Sequence, residues 1–198
     1  MPTSSRRVTG PTGKPKAVVQ THRSFANTTA LYAKGVLRFR EDDVTISVPK
    51  LFFGYATGTN LMFPFRFGGS AILFEGRSTA DELFDQIAAH RPTLLTSVPT
   101  MINNMLRSPR CDGADLSSLR VALSAGEALP AQLYEEWKAK TGVEILDGIG
   151  SAEMFHIYIS NSPGDVVPGS LGRLVPGYEA RIVDADERDV APGDAGTL

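Results

Sequence analysis

A loop rich in glycine, threonine and lysine lies near the start of the chain and has the composition of a phosphate-binding segment. It spans residues 9–16 and reads TGPTGKPK. Glycine lets backbone N–H groups approach a phosphate closely, threonine hydroxyls donate hydrogen bonds, and lysine supplies positive charge. It is not a Walker-type P-loop, which needs glycine where Val8 stands and serine or threonine where Pro15 stands. Composition alone leaves a solvated turn as an equal alternative.

Two later segments each contain a run of small and acidic residues beside a predicted strand. Residues 124–130 read SAGEALP and join a strand to a helix, the place where α/β proteins bind nucleotides, although many such loops bind nothing. Residues 147–157 read DGIGSAEMFHI. Glu153 in this segment is a candidate for holding Mg²⁺ on a nucleotide phosphate, because hard cations take oxygen ligands. The alternative is a helix start, with Ser151 as cap and Glu153 in the first turn. For His156, a buried packing or hydrogen-bonding role is the default.

Aromatic side chains alternate with glycines in residues 51–58, which read LFFGYATG. Such a segment suits one wall of a flat apolar pocket. Aromatic runs are more often part of an ordinary core, so both roles stay open.

Alternating strand and helix patterns predict the elements that position these segments. The predicted strands cover residues 17–19, 44–48, 70–74, 93–98, 119–123 and 143–146, and the predicted helices cover residues 24–37, 59–67, 99–106 and 130–140, with another helix beginning at Thr79. This alternation predicts an α/β fold, with a mostly parallel sheet flanked by helices and a short β-rich C-terminal segment. We expect residues 1–165 to form the central α/β part and residues 166–198 to begin a smaller, incomplete β subdomain.

Composition narrows the classes of protein. The 198 residues are 42% hydrophobic and carry a net charge of −2, which suits a folded domain and argues against a nucleic-acid surface. The single cysteine, Cys111, excludes a disulfide within the chain and predicts a reducing, cytoplasmic setting. Glycine, proline and polar residues interrupt the apolar stretch at 51–67, so we expect no membrane span.

Taken in order, these segments resemble the adenylate-forming (AMP-binding) acyl-CoA synthetase superfamily, from about Thr9 to the C-terminus. The phosphate loop of that family reads Ser/Thr-Gly-Ser/Thr-Thr-Gly-x-Pro-Lys-Gly and is matched by Thr9, Gly10, Thr12, Gly13, Pro15 and Lys16. Residues 50–55 and 147–157 are most similar to benzoate-type aryl-CoA ligases. The chain departs from the family pattern at Pro11, Ala17 and Ala152, where a hydroxyl residue, a glycine and a threonine are usual.

The resemblance implies an ATP-dependent acid–thiol ligase that converts an aromatic carboxylate to acyl-AMP and then to acyl-CoA. It implies ATP, Mg²⁺ and coenzyme A as partners of the protein, besides the aryl acid. The implied catalytic residues are Thr12, Lys16 and Glu153, the last also the metal ligand. The implied nucleotide-binding residues are Thr9, Gly10, Thr12, Gly13, Lys16, Gly126, Glu127, Ala128, Asp147, Gly148, Ile149, Gly150 and Ser151. The implied aryl-binding residues are Gly54, Tyr55, Ala56, Gly148, His156 and Ile157.

The resemblance also predicts an internal fragment of a longer large domain, with the family's ribose-binding aspartate and catalytic lysine beyond Leu198. The first residues, to about Pro11, lack the family's preceding strand and are expected to be an altered junction. The alternative function is a truncated module without catalysis, acting in binding or association, and homo-oligomerisation stays open. A P-loop phosphotransferase is a third alternative, disfavoured by Val8 and Pro15.

Overall fold

A computed structural model describes the backbone of residues 2–8 and 16–198 and the side chains of residues 17–198. The predicted strand at 17–19 lies within β2 (Lys16–Thr21), which pairs antiparallel with β1 (Pro2–Val8). Strand β1 precedes the phosphate loop where the sequence predicted no strand, which counts against the altered junction. The phosphate-loop predictions for Thr9, Gly10, Thr12 and Gly13 lie outside the described residues, as does the side chain of Lys16.

The centre of the chain is a seven-stranded sheet whose strands follow the order β4-β3-β5-β6-β7-β8-β9. The strands are β3 Val44–Ser47, β4 Ser70–Ile72, β5 Leu94–Ser97, β6 Val121–Ser124, β7 Ile145–Gly150, β8 Ile157–Ser160 and β9 Arg173–Leu174. Strands β3 to β7 pair in parallel, whereas β8 and β9 are antiparallel to their neighbours. The predicted mostly parallel α/β sheet is confirmed.

Helices precede the first parallel strand and connect the later ones. They are α1 His22–Thr28 with a π-helical continuation Thr29–Val36, α2 Gly54–Thr57 with a π-helical continuation Gly58–Met62, α3 Phe63–Phe67, α4 Ala80–His90, α5 Pro99–Arg107, the 3₁₀ segment Pro109–Gly113 and α6 Ala131–Thr141. Local signals set their ends. The Thr79 hydroxyl accepts a hydrogen bond from the Glu82 N–H at 3.2 Å and caps α4. Gly142 has a φ of 75° and ends α6, as predicted from the sequence.

Hydrophobic side chains cover both faces of the parallel sheet. On β5, Leu95 packs into one buried cluster with α4, α5 and α6, whereas its neighbour Leu94 packs into a second cluster with the helix over residues 29–36. Ala122 and Leu123 divide in the same way on β6. Successive side chains of a strand point to opposite faces, so β5 and β6, in which every residue is buried, are strands of a sheet covered on both sides.

A buried ion pair joins the amino ends of three parallel strands. The Asp43 carboxylate, whose side chain is 0% exposed, accepts hydrogen bonds from Arg120 Nε at 2.8 Å and Nη2 at 2.7 Å. It also accepts from the Thr93 hydroxyl at 2.7 Å and the Arg40 N–H at 2.8 Å. Arg120 donates further to the Leu37 carbonyl at 3.0 Å. The network links the segments that lead into β3, β5 and β6.

The last residues return to the sheet before forming turns. Strand β9 pairs with β8, and Val183 then bridges to Asp189 and Thr197. The division into residues 1–165 and 166–198 stays a prediction. Over the part of the chain that the structure describes, no helix combines the length and apolarity needed to cross a membrane.

Candidate functional site

Three polar side chains stand in a row where the central parallel strands end. Ser97, the last residue of β5, pairs with Ser124 of β6, and Ser124 pairs with Asp147 of β7. All three are buried. The carboxyl edge of a parallel sheet is where α/β proteins place ligands, so this row marks the candidate site.

Burial disfavours the charged form of the Asp147 carboxyl. Burial raises the pKa of its carboxyl above the usual value, although the Ser124 hydroxyl and the backbone N–H groups of Leu129 and Gly148 act in the opposite direction. Ser124 lies close enough to affect Asp147, yet among the described residues neither Ser124 Oγ nor Asp147 Oδ1 has a hydrogen bond of ordinary geometry. Buried polar atoms are normally paired. Asp147 therefore has unused capacity to accept a hydrogen bond.

The loop after β6 is tied to the start of α5. The Glu127 carboxylate accepts hydrogen bonds from the Thr100 hydroxyl at 2.7 Å and from the Thr100 N–H at 3.2 Å. Gly126 has a φ of 89°, which an L side chain rarely adopts, and nothing lies within 4 Å of where its β-carbon would be. The loop thus holds Gly126, Glu127 and Ala128 near Asp147 of β7, through the Leu129 N–H.

The glycines predicted to border the nucleotide have a packing role that the sequence did not reveal. A β-carbon on Gly148 would lie 2.7 Å from the Ile159 carbonyl oxygen, and one on Gly150 would lie 2.6 Å from the His156 carbonyl oxygen. Strand β8 approaches β7 closely on this side. Both glycines are therefore required for the antiparallel pairing that brings His156 and Ile157 to the site.

Residues 151–156 form a tight turn, and the predicted alternative of a helix start is wrong. Ser151 Oγ accepts a hydrogen bond from the Met154 N–H at 3.3 Å, and Phe155 has a φ of 75°. Gln20 of β2 holds the turn from outside, donating to the Ala152 carbonyl at 2.6 Å and to the Glu153 carbonyl at 3.1 Å. Sequence reasoning missed Gln20, because only the fold brings it to this turn.

Glu153 is exposed beside a cavity of about 190 Å³. The cavity is lined by Gln20, Ser24, Asn27, Leu31, Glu153, Met154, Phe155, Gly177 and Tyr178. In the described residues no three acidic, histidine or cysteine side chains gather as a metal site. Mg²⁺ commonly uses one or two carboxylates and completes its shell with phosphates and water, so a single exposed carboxylate fits that cation.

The structure brings Tyr55 and His156 together from distant parts of the sequence. His156 Nε2 lies 3.2 Å from the Tyr55 carbonyl oxygen, and the two ring centroids are 5.6 Å apart. The imidazole also contacts Tyr32 and Phe63, with centroid distances of 5.5 and 5.2 Å. Its side chain is buried, in agreement with the default expectation for this histidine. Tyr32 was not among the predicted site residues, because its place in a helical pattern indicates only a core position.

The other residues predicted to bind the aryl group differ in their burial and contacts. Ala56 is fully buried, and Ile157 belongs to the buried cluster that contains Tyr32. Gly148 faces Ile157, whose Cγ2 would lie 3.3 Å from a β-carbon on that glycine. Gly54 is half-buried at the start of α2.

The hydroxyl groups of Tyr55 and Tyr32 belong to the same aromatic cluster as His156. The Tyr55 hydroxyl is buried with no hydrogen-bond partner in the described part of the chain. Burial raises the pKa of Tyr55 well above its usual value, and the nearby Tyr32 and Asp147 raise it further. Burial also raises the pKa of Tyr32, against a hydrogen bond with Ser160. Asp147 and the aromatic cluster are therefore close enough to interact electrostatically.

Known proteins are similar to this chain in sequence. The sequence profile of the AMP-binding enzyme family matches residues 9–198. A benzoate–CoA ligase of Thauera aromatica is 44% identical over 190 residues, covering 96% of this chain and 36% of the relative. An anthranilate–CoA ligase of Pseudomonas aeruginosa is 37% identical over 177 residues, covering 89% of this chain and 34% of the relative.

Solved structures give the same result. The anthranilate CoA ligase AuaEII, in complex with anthranoyl-AMP, superposes with a TM-score of 0.94 at 43% identity, covering 97% of this chain and 37% of that one. A benzoate CoA ligase from Burkholderia xenovorans LB400 superposes with a TM-score of 0.86 at 45% identity, covering 92% and 37%. The chain spans about a third of the length of these relatives. It belongs to the family of AMP-binding enzymes, and its resemblance to the benzoate-type CoA ligases of that family is confirmed.

Proposed function

We propose that this chain supplies the nucleotide and aryl-acid sites of an ATP-dependent aryl-CoA ligase. The observation that carries the proposal is the convergence on strand β7 of two environments. The buried Asp147 carboxylate of β7 lies beside the loop at residues 124–130, and the aromatic cluster around His156 adjoins them. The relatives' names give the chemistry, and because the chain spans 36% of the first of them, the activity of the whole enzyme is part of the proposal.

In the first step, the carboxylate of the aryl acid attacks the α-phosphate of ATP, which forms acyl-AMP and releases pyrophosphate. The protein contributes positioning and charge neutralisation, because negative charge spreads over phosphate oxygens in the transition state. Mg²⁺, when bound, supplies part of that neutralisation, and Glu153 is the residue that would hold it. The nucleotide would lie along the ends of β6 and β7, bordered by the residues from Gly126 to Ala128 and from Asp147 to Ser151. The loop with Thr9, Gly10, Thr12, Gly13 and Lys16 would bind the departing phosphates.

In the second step, the thiolate of coenzyme A attacks the acyl carbon of acyl-AMP and AMP leaves. The residues that would hold the aryl ring during both steps are Gly54, Tyr55, Ala56, Gly148, His156 and Ile157. Aromatic and small residues at a buried position suit a flat ring. We further propose that the reaction takes place in the cytoplasm, which the single, buried thiol of Cys111 favours.

A binding or association module without catalysis is the second candidate. Aromatic side chains on α3 and just before α2 are unusually exposed: Phe52 is 81% exposed, Phe53 is 54% exposed and Phe65 is 79% exposed. Exposed apolar surface of this kind marks contact sites, so this candidate rests on a surface and not on the nucleotide site.

The deciding experiment is pyrophosphate exchange into ATP, dependent on benzoate, in the full-length enzyme and in its Glu153→Gln variant. We expect exchange in the parent and a fall of roughly a hundredfold or more in the variant, by analogy with the loss of one transition-state charge contact. The exposed Glu179→Gln serves as the matched control and should exchange normally. No exchange in the parent, together with a self-associated chain in solution, would favour the second candidate.

A further inference from the structure

We propose that Gly58 and the carbonyl of Tyr55 act together as a latch that fixes the position and tautomer of His156. Gly58 would thus be a positioning residue for the aryl site, although it is not among the aryl-binding residues named above. The functional part of this inference rests on the proposed function, whereas the latch itself rests on contacts in the structure.

The imidazole lies directly against the backbone at Gly58. A β-carbon on this residue would overlap His156 Nε2, and it would lie 2.5 Å from Cδ2 and 3.2 Å from Cε1 of the same ring. Contacts this short require something to move. Glycine is therefore the residue that allows the histidine to occupy its place.

The helix changes its winding at the same residue. Helix α2 ends at Thr57, and a π-helical segment begins at Gly58. Irregular turns of this type redirect backbone carbonyls and frequently mark functional sites. The Tyr55 carbonyl accepts from the Thr59 hydroxyl at 3.2 Å and also lies 3.2 Å from His156 Nε2. Because a carbonyl can only accept, the proton of this contact is on Nε2.

The surrounding rings prevent the histidine from moving aside. Tyr32, Tyr55 and Phe63 lie within 5.6 Å of the imidazole, measured between ring centroids, and His156 is only 4% exposed. Protein interiors are close-packed, so a displaced ring must push its neighbours. Any change at Gly58 would therefore alter the aryl-side wall formed by Tyr55 and His156.

The first test reads the tautomer directly. The chain has three histidines, of which His22 and His90 are exposed, so ¹⁵N-histidine labelling gives few and separable ring signals. Two-bond ¹H–¹⁵N spectra should show the Nε2–H form for His156. Gly58→Ala should abolish that pattern or shift it towards the averaged pattern of an exposed ring. An Nδ1–H form in the parent, or an unchanged His156 pattern in the variant, would overturn the latch.

The second test compares melting temperatures and can be read even if Gly58→Ala folds poorly. In the parent, Gly58→Ala should lower the melting temperature by about 5 °C or more, as overpacking does. In a His156→Ala background the space is vacated, and the same substitution should be neutral or raise the melting temperature, because alanine favours a helix over glycine. Equal losses in both backgrounds, or two unfolded variants, contradict the proposal.

A matched control and a ligand separate the latch from the proposed function. Gly35→Ala lies in the other π-helical segment, where a β-carbon meets only the Ala30 carbonyl at 3.5 Å, and it should leave the His156 signals unchanged. Benzoate added to the parent should shift those signals if the aryl site is where we propose. An absent benzoate shift would count against the aryl site alone, since the tautomer and the melting cycle decide the latch without ligand.

Discussion

Removing Arg120 should destabilise the chain far more than removing an arginine from an exposed ion pair of nearly the same length. Asp43 is fully buried at the side chain, and two of its four hydrogen bonds come from the Arg120 guanidinium. Arg120→Met keeps most of the side-chain length but leaves the carboxylate with only the Thr93 hydroxyl and the Arg40 N–H. Burial alone raises the pKa of Asp43, and the Arg120 hydrogen bonds are the largest of the contributions that bring it below its usual value.

The magnitude follows from the burial of the pair. Breaking a buried pair by removing one partner costs about 3–5 kcal/mol, against about 0–1 kcal/mol for an exposed pair. Arg120 is 21% exposed at its side chain, so we expect the lower end, about 3 kcal/mol. Total stability of a domain is about 5–15 kcal/mol. With a urea m-value of roughly 3 kcal/mol/M, the unfolding midpoint should fall by about 1 M.

The assay is urea unfolding followed by the emission of Trp137, the only tryptophan, which is fully buried. Arg107→Met is the control, since Arg107 and Glu136 are 2.8 Å apart but Arg107 is 65% exposed. Equal midpoint losses for Arg107→Met and Arg120→Met would refute the argument from burial. So would a loss for Arg120→Met below about 1 kcal/mol.

The same pair predicts a pH dependence with a defined sign. The pKa of Asp43 is lower in the folded chain than in the unfolded chain, so its contribution is complete above the unfolded pKa and disappears as the pH falls through the folded pKa. Stability should therefore fall below about pH 4. Arg120→Met should show a smaller fall over that range, because the shift depends largely on its guanidinium.

Three further substitutions test other contacts. Gly172 has a φ of 88°, and a β-carbon there would overlap the backbone of the preceding strand. Gly172→Ala should therefore lower the free energy of unfolding in urea by about 3 kcal/mol or more, against about 1 kcal/mol for Gly142→Ala, where nothing lies within 4 Å. Similar losses for the two variants would contradict the overlap. Asp147→Asn should raise the urea midpoint at pH 7. The pKa of Asp147 is higher in the folded chain than in the unfolded chain, so the folded chain loses stability when the pH rises above that pKa and the carboxyl ionises. A lowered midpoint would show that the charge of Asp147 is well paired. In the full-length enzyme, Gly54→Val should narrow the aryl site and favour smaller carboxylates in pyrophosphate exchange, and an unchanged order of substrates would remove Gly54 from that site.

The fold was predictable because local patterns and tertiary packing agree. Thr79 and Gly142 occupy the helix ends that their chemistry favours, and the apolar runs at β5 and β6 are typical of strands buried on both faces. The sequence could therefore predict the sheet and the loop at residues 124–130, which leads from β6 to α6. The strand predicted at 143–146 is shifted in the structure, where Asp147 lies inside β7 (Ile145–Gly150).

The details of the site were less predictable because they depend on contacts between distant residues. The helix start expected at Ser151 is a turn, since Gln20, more than 130 positions away, holds its carbonyls. The roles of Gly58 and Gly148 depend on how closely His156 and strand β8 approach them, and a pattern of residue types carries no such distance. The predictions for the phosphate loop remain predictions.

The Asp43–Arg120 pair has a consequence for the order of events in folding. Its partners are 77 positions apart in the sequence, and Arg120 can reach Asp43 only after β3, β5 and β6 have aligned. Contacts between distant residues require loop closure first and form late on the folding pathway. We therefore expect Arg120→Met to accelerate unfolding much more than it slows refolding. The pair would then extend the lifetime of the native chain without guiding its formation.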